Sequence, residues 1–351
     1  MTAAAIPRPH LGAARSFRPV WLLAAAGFLV GSMLVGVLVG PANLGVLDVI
    51  RSLLAHAGVP GVHSGLSQTD ETILWQIRAP RVVLGGLVGA TLATAGASYQ
   101  GVFRNPLADP YLLGVAAGAG LGATIAVAYA PSRELLPPAA FAGGAVAVTV
   151  TYLLGSAAGR ERSGATLVLA GVTVVSFFTA VQTFVQQQHA DTLQQVYSWI
   201  LGSLPSSGWS DVVLLLPWVG VSLAALLLHR RLLDVLSLGE EEAATLGVDV
   251  GRVRLVVVVA ATVGTAGAVA VSGLIGFVGI VVPHAIRLVV GGSYRLVLPL
   301  SVVVGAGFLV LADVVARTVL SPAEVPIGVI TAFCGAPFFA VVLRTSRKGF
   351  R

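Results

Sequence analysis

The residues able to do chemistry are few and far apart. Asp313 is the one acid in the interior of an apolar run of span length. Arg104 and Asp109 bracket the turn RNPLADP, and His284 and Arg287 lie near the end of another apolar run. None of these forms a set. The sequence holds no HExxH pair for a zinc ion, no GxSxG nucleophile elbow and no GxxxxGK[ST] phosphate loop. The single cysteine, Cys334, excludes an intramolecular disulfide and a thiolate metal cluster. Its setting, VITAFCGAPFF, reads as that of a small buried hydrophobe. His284 reads as a packing or turn residue. No apolar run carries the ladder of charges that an ion pump, a voltage sensor or a proton antiporter uses. The chain is expected to do no covalent chemistry and to hold no metal or cofactor of its own.

What must position these residues is a set of lipid-embedded helices. Of 351 residues 56% are hydrophobic and only 10% charged, and the mean hydropathy is +0.92. A soluble domain carries about 25% charged residues, so a soluble enzyme and a nucleic-acid-binding domain are excluded. The net charge of +6 comes from basic residues scattered in ones and twos, which is a topology signal and not a binding patch. Ten segments approach the roughly 20 residues a membrane helix needs: 20–40, 82–101, 112–130, 138–158, 166–187, 211–229, 254–273, 277–291, 296–316 and 328–344. The eighth is short and contains Pro283. The first is longer than a signal-peptide core and lacks an A-x-A site, so it reads as a retained helix. The polar gap Pro41–Pro80 is too small for a core of its own.

Charge sets the expected orientation. With the N-terminus inside, 16 of the 21 Lys and Arg residues fall on the inner side, and Arg51, Arg78, Arg81, Arg133 and Arg317 on the outer. The positive-inside rule favours that arrangement, with the C-terminus inside as well. The expected organisation is a cytoplasmic extension over 1–19, one transmembrane domain over 20–345 with a cytoplasmic loop at 231–252, and a cytoplasmic tail over 346–351.

An internal repeat is visible. Residues 81–97 (RVVLGGLVGATLATAGA) and 252–268 (RVRLVVVVAATVGTAGA) align without a gap, with ten of seventeen positions identical. The copies open the second and seventh segments and so cross in opposite directions, the inverted plan common among transporters. Small residues four apart, Gly85/Gly89 and Gly118/Gly122, suit close helix packing.

The loop RLLDVLSLGEEEAATLGVDVGR is the most charged stretch. Ser237 and Glu240 have capping-box spacing. Glu240, Glu241 and Glu242 crowd a first helical turn, where the helix dipole favours anions, and Gly247 suits the position just past a helix end. A short cytoplasmic helix results. It is either an ordinary solvated linker or a docking element for a partner.

The segment 74–120, with RAPR, GATLATAGASYQ and RNPLADPYLLG, resembles the signature region of the FecCD family. Further matches follow in family order: LVLAGV, SWILGSL, LSLGEEEAATLGV, GFVGIVVPHAIRLVVG, ADVVAR and EVPIGVITAFCGAPFF. These are permeases of binding-protein-dependent ABC importers for iron–siderophore complexes, haem and vitamin B12. The resemblance implies an all-α integral membrane protein of about ten transmembrane helices, with a fold like that of the vitamin B12 importer permease. It also implies a bacterial or archaeal cytoplasmic membrane, a second permease copy as homodimer partner, two cytoplasmic ATPase subunits carrying ATP and Mg, and an outer substrate-binding protein. No nucleic acid is expected as a partner.

Site roles follow from the same resemblance. Arg78, Arg81 and Arg317 match positions that meet glutamates of the binding protein; the alternative is snorkelling at helix ends. Ser237, Leu238, Gly239, Glu240, Ala243, Leu246 and Gly247 match the coupling helix that sits in a cleft of the ATPase. Ser163, Gly164 and Ala165 match an inner gate, loosely. The fifth segment would line the pathway: Gln182 and Gln186 share a helix face, and Phe177, Phe178 and Phe184 suit a bulky planar ligand, though each also suits packing. His189 at the outer end is a poor candidate haem ligand. The expected cargo is a bulky metal chelate, an iron–siderophore or haem before cobalamin. The competing reading, an ion-coupled secondary transporter with inverted repeats, needs coupling-ion ligands at mid-membrane, and acids are scarce there.

Overall fold

In a computed structural model, the structure describes residues 19–42, 44–130, 132, 134–157, 164–204 and 208–346. Among these the chain is helical, with no strand. The helices are α1 (Pro19–Leu38), α2 (Val46–His56), α3 (Gln68–Thr72), α4 (Ala79–Val102), α5 (Val115–Tyr129), α6 (Leu136–Ala157), α7 (Gly164–Gln188) and α8 (Leu193–Ile200). Then come α9 (Trp209–Leu228), α10 (Arg230–Leu236), α11 (Glu240–Thr245), α12 (Val250–Ser272), α13 (Val278–Val290), α14 (Tyr294–Thr318) and α15 (Ile327–Ser346). A π-helical turn, Ile73–Arg78, joins α3 to α4 without a break.

Among the described residues, seven helices are long and apolar enough to cross a membrane; three shorter apolar ones lie at Val115–Tyr129, Val278–Val290 and Ile327–Val342. Each of the ten sequence segments falls on one of these. The second differs in length: its helix runs without interruption from Gln68 to Val102, so the polar gap is partly helical. Hydropathy misses this part because Gln68, Asp70 and Glu71 precede the apolar run.

The repeat copies lie at the centre. α4 is buried along almost its whole length, and α12 is mostly buried. α4 starts beside the end of α1, where Arg78 donates to the carbonyls of Val37 and Leu38. It ends against α10 and α14: a Cβ on Gly101 would lie 3.0 Å from Tyr294 and 3.2 Å from Leu233. α12 starts beside α11 and therefore runs the opposite way, as the inverted repeat requires. The two ends of the bundle are named below for α2 and α11.

Small residues set the closest packing. A Cβ on Gly89 would stand 2.2 Å from the Gly305 carbonyl oxygen of α14, and one on Gly118 2.2 Å from that of Gly143 in α6. No larger side chain fits either crossing; a Cβ on Gly122 would likewise stand 2.1 Å from the Ala139 carbonyl oxygen, whereas one on Gly85 would meet the Leu204 side chain at 3.3 Å. Cys334 departs from expectation. It is exposed on α15 beside Phe333, which is 73% exposed. In a membrane helix at the edge of the bundle an apolar setting does not imply burial within the chain, because the lipid or protein beside it is itself apolar.

Candidate functional site

At the α2 face the chain builds an ion network. Arg81 stands between two carboxylates. Its Nε and Nη2 reach Asp313 at 2.8–3.0 Å, and its Nη1 and Nη2 reach Glu324 Oε1 and Oε2 at 2.9 and 3.0 Å. Arg317, one turn beyond Asp313 on α14, lies 3.5 Å from it and donates through Nη2 to the Gly36 carbonyl at 2.6 Å. Arg78 donates to the carbonyls of Val37, Leu38 and Ala42. These two arginines thus satisfy carbonyls at the C-terminal end of α1, which the helix leaves without donors and where the dipole favours cations.

Arg78, Arg81 and Arg317 are 3%, 6% and 2% exposed. The sequence reading placed them at an open rim, either docking or snorkelling. The structure buries them on this chain's own acceptors. Two features made this hard to read: the helix carrying Arg78 extends ten residues before it, and Asp313 and Glu324 are more than two hundred residues away in sequence. Glu324 was not singled out, although an acid at the edge of the last apolar run was a usable signal. It is the reachable member of the network, with its side chain 33% exposed.

At the α11 face, Glu240 Oε1 accepts from Arg254 Nη2 at 2.5 Å, which ties α11 to α12. Asp234 accepts from the Tyr294 amide at 2.6 Å and the Ser293 hydroxyl at 3.0 Å, which ties α10 to the start of α14. The expected capping box is absent. Gly239 is the N-cap, at φ 146, and the Ser237 hydroxyl turns back to the Asp234 carbonyl at 2.6 Å. Gly239 bends the chain so sharply that the helix starts at Glu240 and leaves Ser237 at the end of α10. The three glutamates do fall in the first turn. Gly247, at φ 77, closes the helix as the sequence suggested. Its amide bonds the Ala244 carbonyl and that of Val248 bonds Ala243, a Schellman arrangement. Ala243 is buried, whereas Leu238 and Leu246 are 56% and 63% exposed.

Of the expected gate residues, Ser163 lies outside the described residues. Gly164 and Ala165 open α7. The predicted pathway face is divided by the fold. Gln186 is buried, and Gln182 packs toward Gly120 of α5, 3.0 Å from where a Cβ would stand. Phe177 and Phe184 are exposed on the other side of α7, at 65% and 61%, and Phe178 is half-buried with its ring edge-on to Phe177. The glutamines therefore do not share a surface with the exposed aromatics. His189 packs edge-on to Tyr129, and His284 against Phe338 and Phe339, as packing residues do. No cluster of three metal-ligating side chains occurs among the described residues.

Residues 28–345 match the model of the FecCD transport family. The chain is 40% identical to the cobalamin import system permease protein of Halobacterium salinarum, over 92% of this chain and 95% of that one. It is 36% identical to the iron(3+)-hydroxamate import system permease protein of Bacillus subtilis, over 82% and 75%. A solved structure of a metal-chelate type ABC transporter in an inward-facing conformation superposes with a TM-score of 0.82 at 30% identity, covering 93% of this chain and all of that one.

Proposed function

The chain belongs to the FecCD transport family, and from that premise we propose that it is the multi-pass permease subunit of a binding-protein-dependent ABC importer for a metal chelate. Two copies form the pathway. ATPase subunits seat on the α11 face, a substrate-binding protein meets the α2 face, and both termini are cytoplasmic. Relatives are named for cobalamin, iron hydroxamate and iron citrate, so the cargo is proposed at the level of a bulky metal complex.

The α10–α11 turn is the observation that carries the ATPase assignment. A six-residue helix is closed at both ends by glycines, held to α12 through Glu240 and Arg254, and flanked by the exposed Leu238 and Leu246. Apolar side chains on a charged loop are what a partner's cleft would cover. Among the described residues, the one acid buried within a span, Asp313, is already engaged by two arginines, which leaves it a poor coupling-ion ligand and speaks for an external energy source.

The test uses the chain co-expressed with its ATPase subunit and binding protein. Leu246→Asp should abolish uptake and ATPase co-purification while leaving the permease in the membrane. The purified chain alone should not turn over ATP. Retained uptake and complex yield would reduce the α10–α11 turn to a linker.

A further inference from the structure

Around its axis, at about 100° per residue, α2 divides into three sectors. Val49, Ser52 and His56 form the first, turned to the protein. Val49 and Ser52 are buried, Trp75 Nε1 donates to the Ser52 hydroxyl at 3.1 Å, and the His56 ring stacks on that of Trp75 at 4.0 Å. Val46, Leu47, Ile50 and Leu54 form the second. All four are apolar and exposed, at 57%, 60%, 39% and 41%. Asp48 and Arg51 form the third, a charged edge on which the two side chains lie 3.6 Å apart. A surface helix in water carries polar residues over the whole side turned away from the protein. α2 does so along one edge, and its exposed apolar sector lies between that edge and the protein. Such a patch marks a partner or a membrane.

Two placements say which. The first is depth. Trp209 opens α9, one of the helices able to span the membrane, and donates through Nε1 to the Trp75 carbonyl at 2.8 Å. Tryptophans gather at the membrane–water interface. Ile77, two residues nearer the apolar run of α4, is 49% exposed, as a side chain facing lipid is. α2, which grips Trp75, therefore lies at the membrane surface. The second is continuity. α1 leads directly into α2, and the exposed residues at its end, Leu34, Val35 and Val39, are apolar, at 41%, 38% and 40%. After residues 40–45 the apolar sector of α2 takes over. The charged edge is turned to the exposed loop that follows α2: a Cβ on Gly65 would stand 2.6 Å from the Asp48 carboxylate. A soluble partner arriving from water meets that edge and loop, not the apolar sector.

We propose that α2 is an interfacial anchor whose partner is the phospholipid leaflet at the α2 face. Val46, Leu47, Ile50 and Leu54 enter the acyl boundary, as the apolar face of an interfacial helix does. Arg51, next to this sector and with its side chain 51% exposed, lays its stem along the lipid and keeps its guanidinium at the level of the phosphates. Through Ser52, His56 and Trp75, the anchor sets the end of the uninterrupted helix Gln68–Val102 against the bilayer.

The test uses the full chain, with Cys334→Ser as background, in nanodiscs of phosphatidylcholine and phosphatidylglycerol. A nitroxide is attached singly at Leu47→Cys, Ile50→Cys or Leu54→Cys in the apolar sector, and at Asp48→Cys or Ala55→Cys on the other edge. Power saturation then compares collisions with oxygen, which concentrates in lipid, and with a nickel chelate, which stays in water. The ratio of oxygen to nickel collisions should be severalfold higher at the first three positions than at the last two. Arg51→Gln should shift the Leu54 label toward nickel, and an unchanged ratio would overturn the phosphate contact. Equal ratios at all five positions would put the apolar sector in water and overturn the anchor. Few collisions with either reagent at the first three would mean that protein covers them, a second copy of the chain, and would overturn it too. The labelled positions of the apolar sector are exposed, so the substitutions leave the packing of α2 intact. No ATPase or binding protein is present, so the result stands apart from the importer reading.

Discussion

At the α2 face, Arg81, Asp313 and Arg317 have side chains 6%, 2% and 2% exposed. At the α11 face, Glu240 is 49% exposed over an Arg254 that is 8% exposed, and Arg295 is 64% exposed beside Asp234. The first group joins α1, α4, α14 and the approach to α15 into one block. Taking such charges out of water costs several kcal/mol per ion. That cost is offset only because Arg81 finds two carboxylates and because Arg78 and Arg317 find the free carbonyls of α1. The second group pins a short helix to the surface through Glu240 and Asp234, whose carboxylates are 49% and 23% exposed and so remain within reach of water. The contrast separates a clasp that fixes helix positions from a tether that lets an element be handled by a partner.

The largest expected effect breaks the clasp. Asp313→Ala leaves Arg81 and Arg317 facing each other with only Glu324 between them. Removing one partner of a buried pair costs about 3–5 kcal/mol, and unfolding in detergent should register a loss of that size. The double variant Arg81→Met, Asp313→Leu removes charge of both signs and should recover part of it. If the double variant is no better than the single one, the network is not what holds these helices.

The tether should respond far less. Glu240→Gln removes the charge opposite Arg254 but keeps an acceptor for it, and because Glu240 is half-exposed the loss should be about 0–1 kcal/mol. The same unfolding assay should show a change within that range, while yield of the complex with the ATPase subunit falls. A stability loss matching that of Asp313→Ala would erase the distinction between the two faces.

The same division decides what could be read from sequence. The membrane helices were legible because lipid imposes one rule, about twenty apolar residues, that acts locally. The antiparallel central pair was legible because the repeat leaves its copy 171 residues on. The α2-face clasp was not, because Arg81 meets acids 232 and 243 residues away and burial of an arginine leaves no local mark. The end of α11 was legible at Gly247, where a positive φ demands glycine, but its start was misplaced. Ser237 and Glu240 match the capping spacing, and only the conformation of Gly239 shows that the helix begins later. The glutamines of α7 share a face, as spacing requires, but which face meets α5 is a tertiary fact.

A further expected effect at the α11 face depends on pH. Asp109, in the turn after α4, accepts from the Tyr111 amide at 2.8 Å and caps the short helical turn Pro110–Leu113. Burial pushes its carboxyl up to about 6, with that hydrogen bond opposing the rise. In the unfolded chain the same group titrates near 3.9. Between about pH 4 and 6 the folded chain therefore holds a proton that the unfolded chain has lost. Stability should fall as pH rises through this window and level off above it. Acidification from pH 7 to 5 should accordingly stabilise the wild type relative to Asp109→Asn, which keeps an acceptor for the Tyr111 amide but cannot titrate. Comparing the two chains by unfolding in detergent across that range cancels the histidines common to both. Here a carboxylate is answered by a backbone amide, whereas at the α2 face Asp313 and Glu324 are answered by guanidinium groups. Parallel curves for the two chains would place Asp109 in contact with water and leave the turn without a pH-sensitive member.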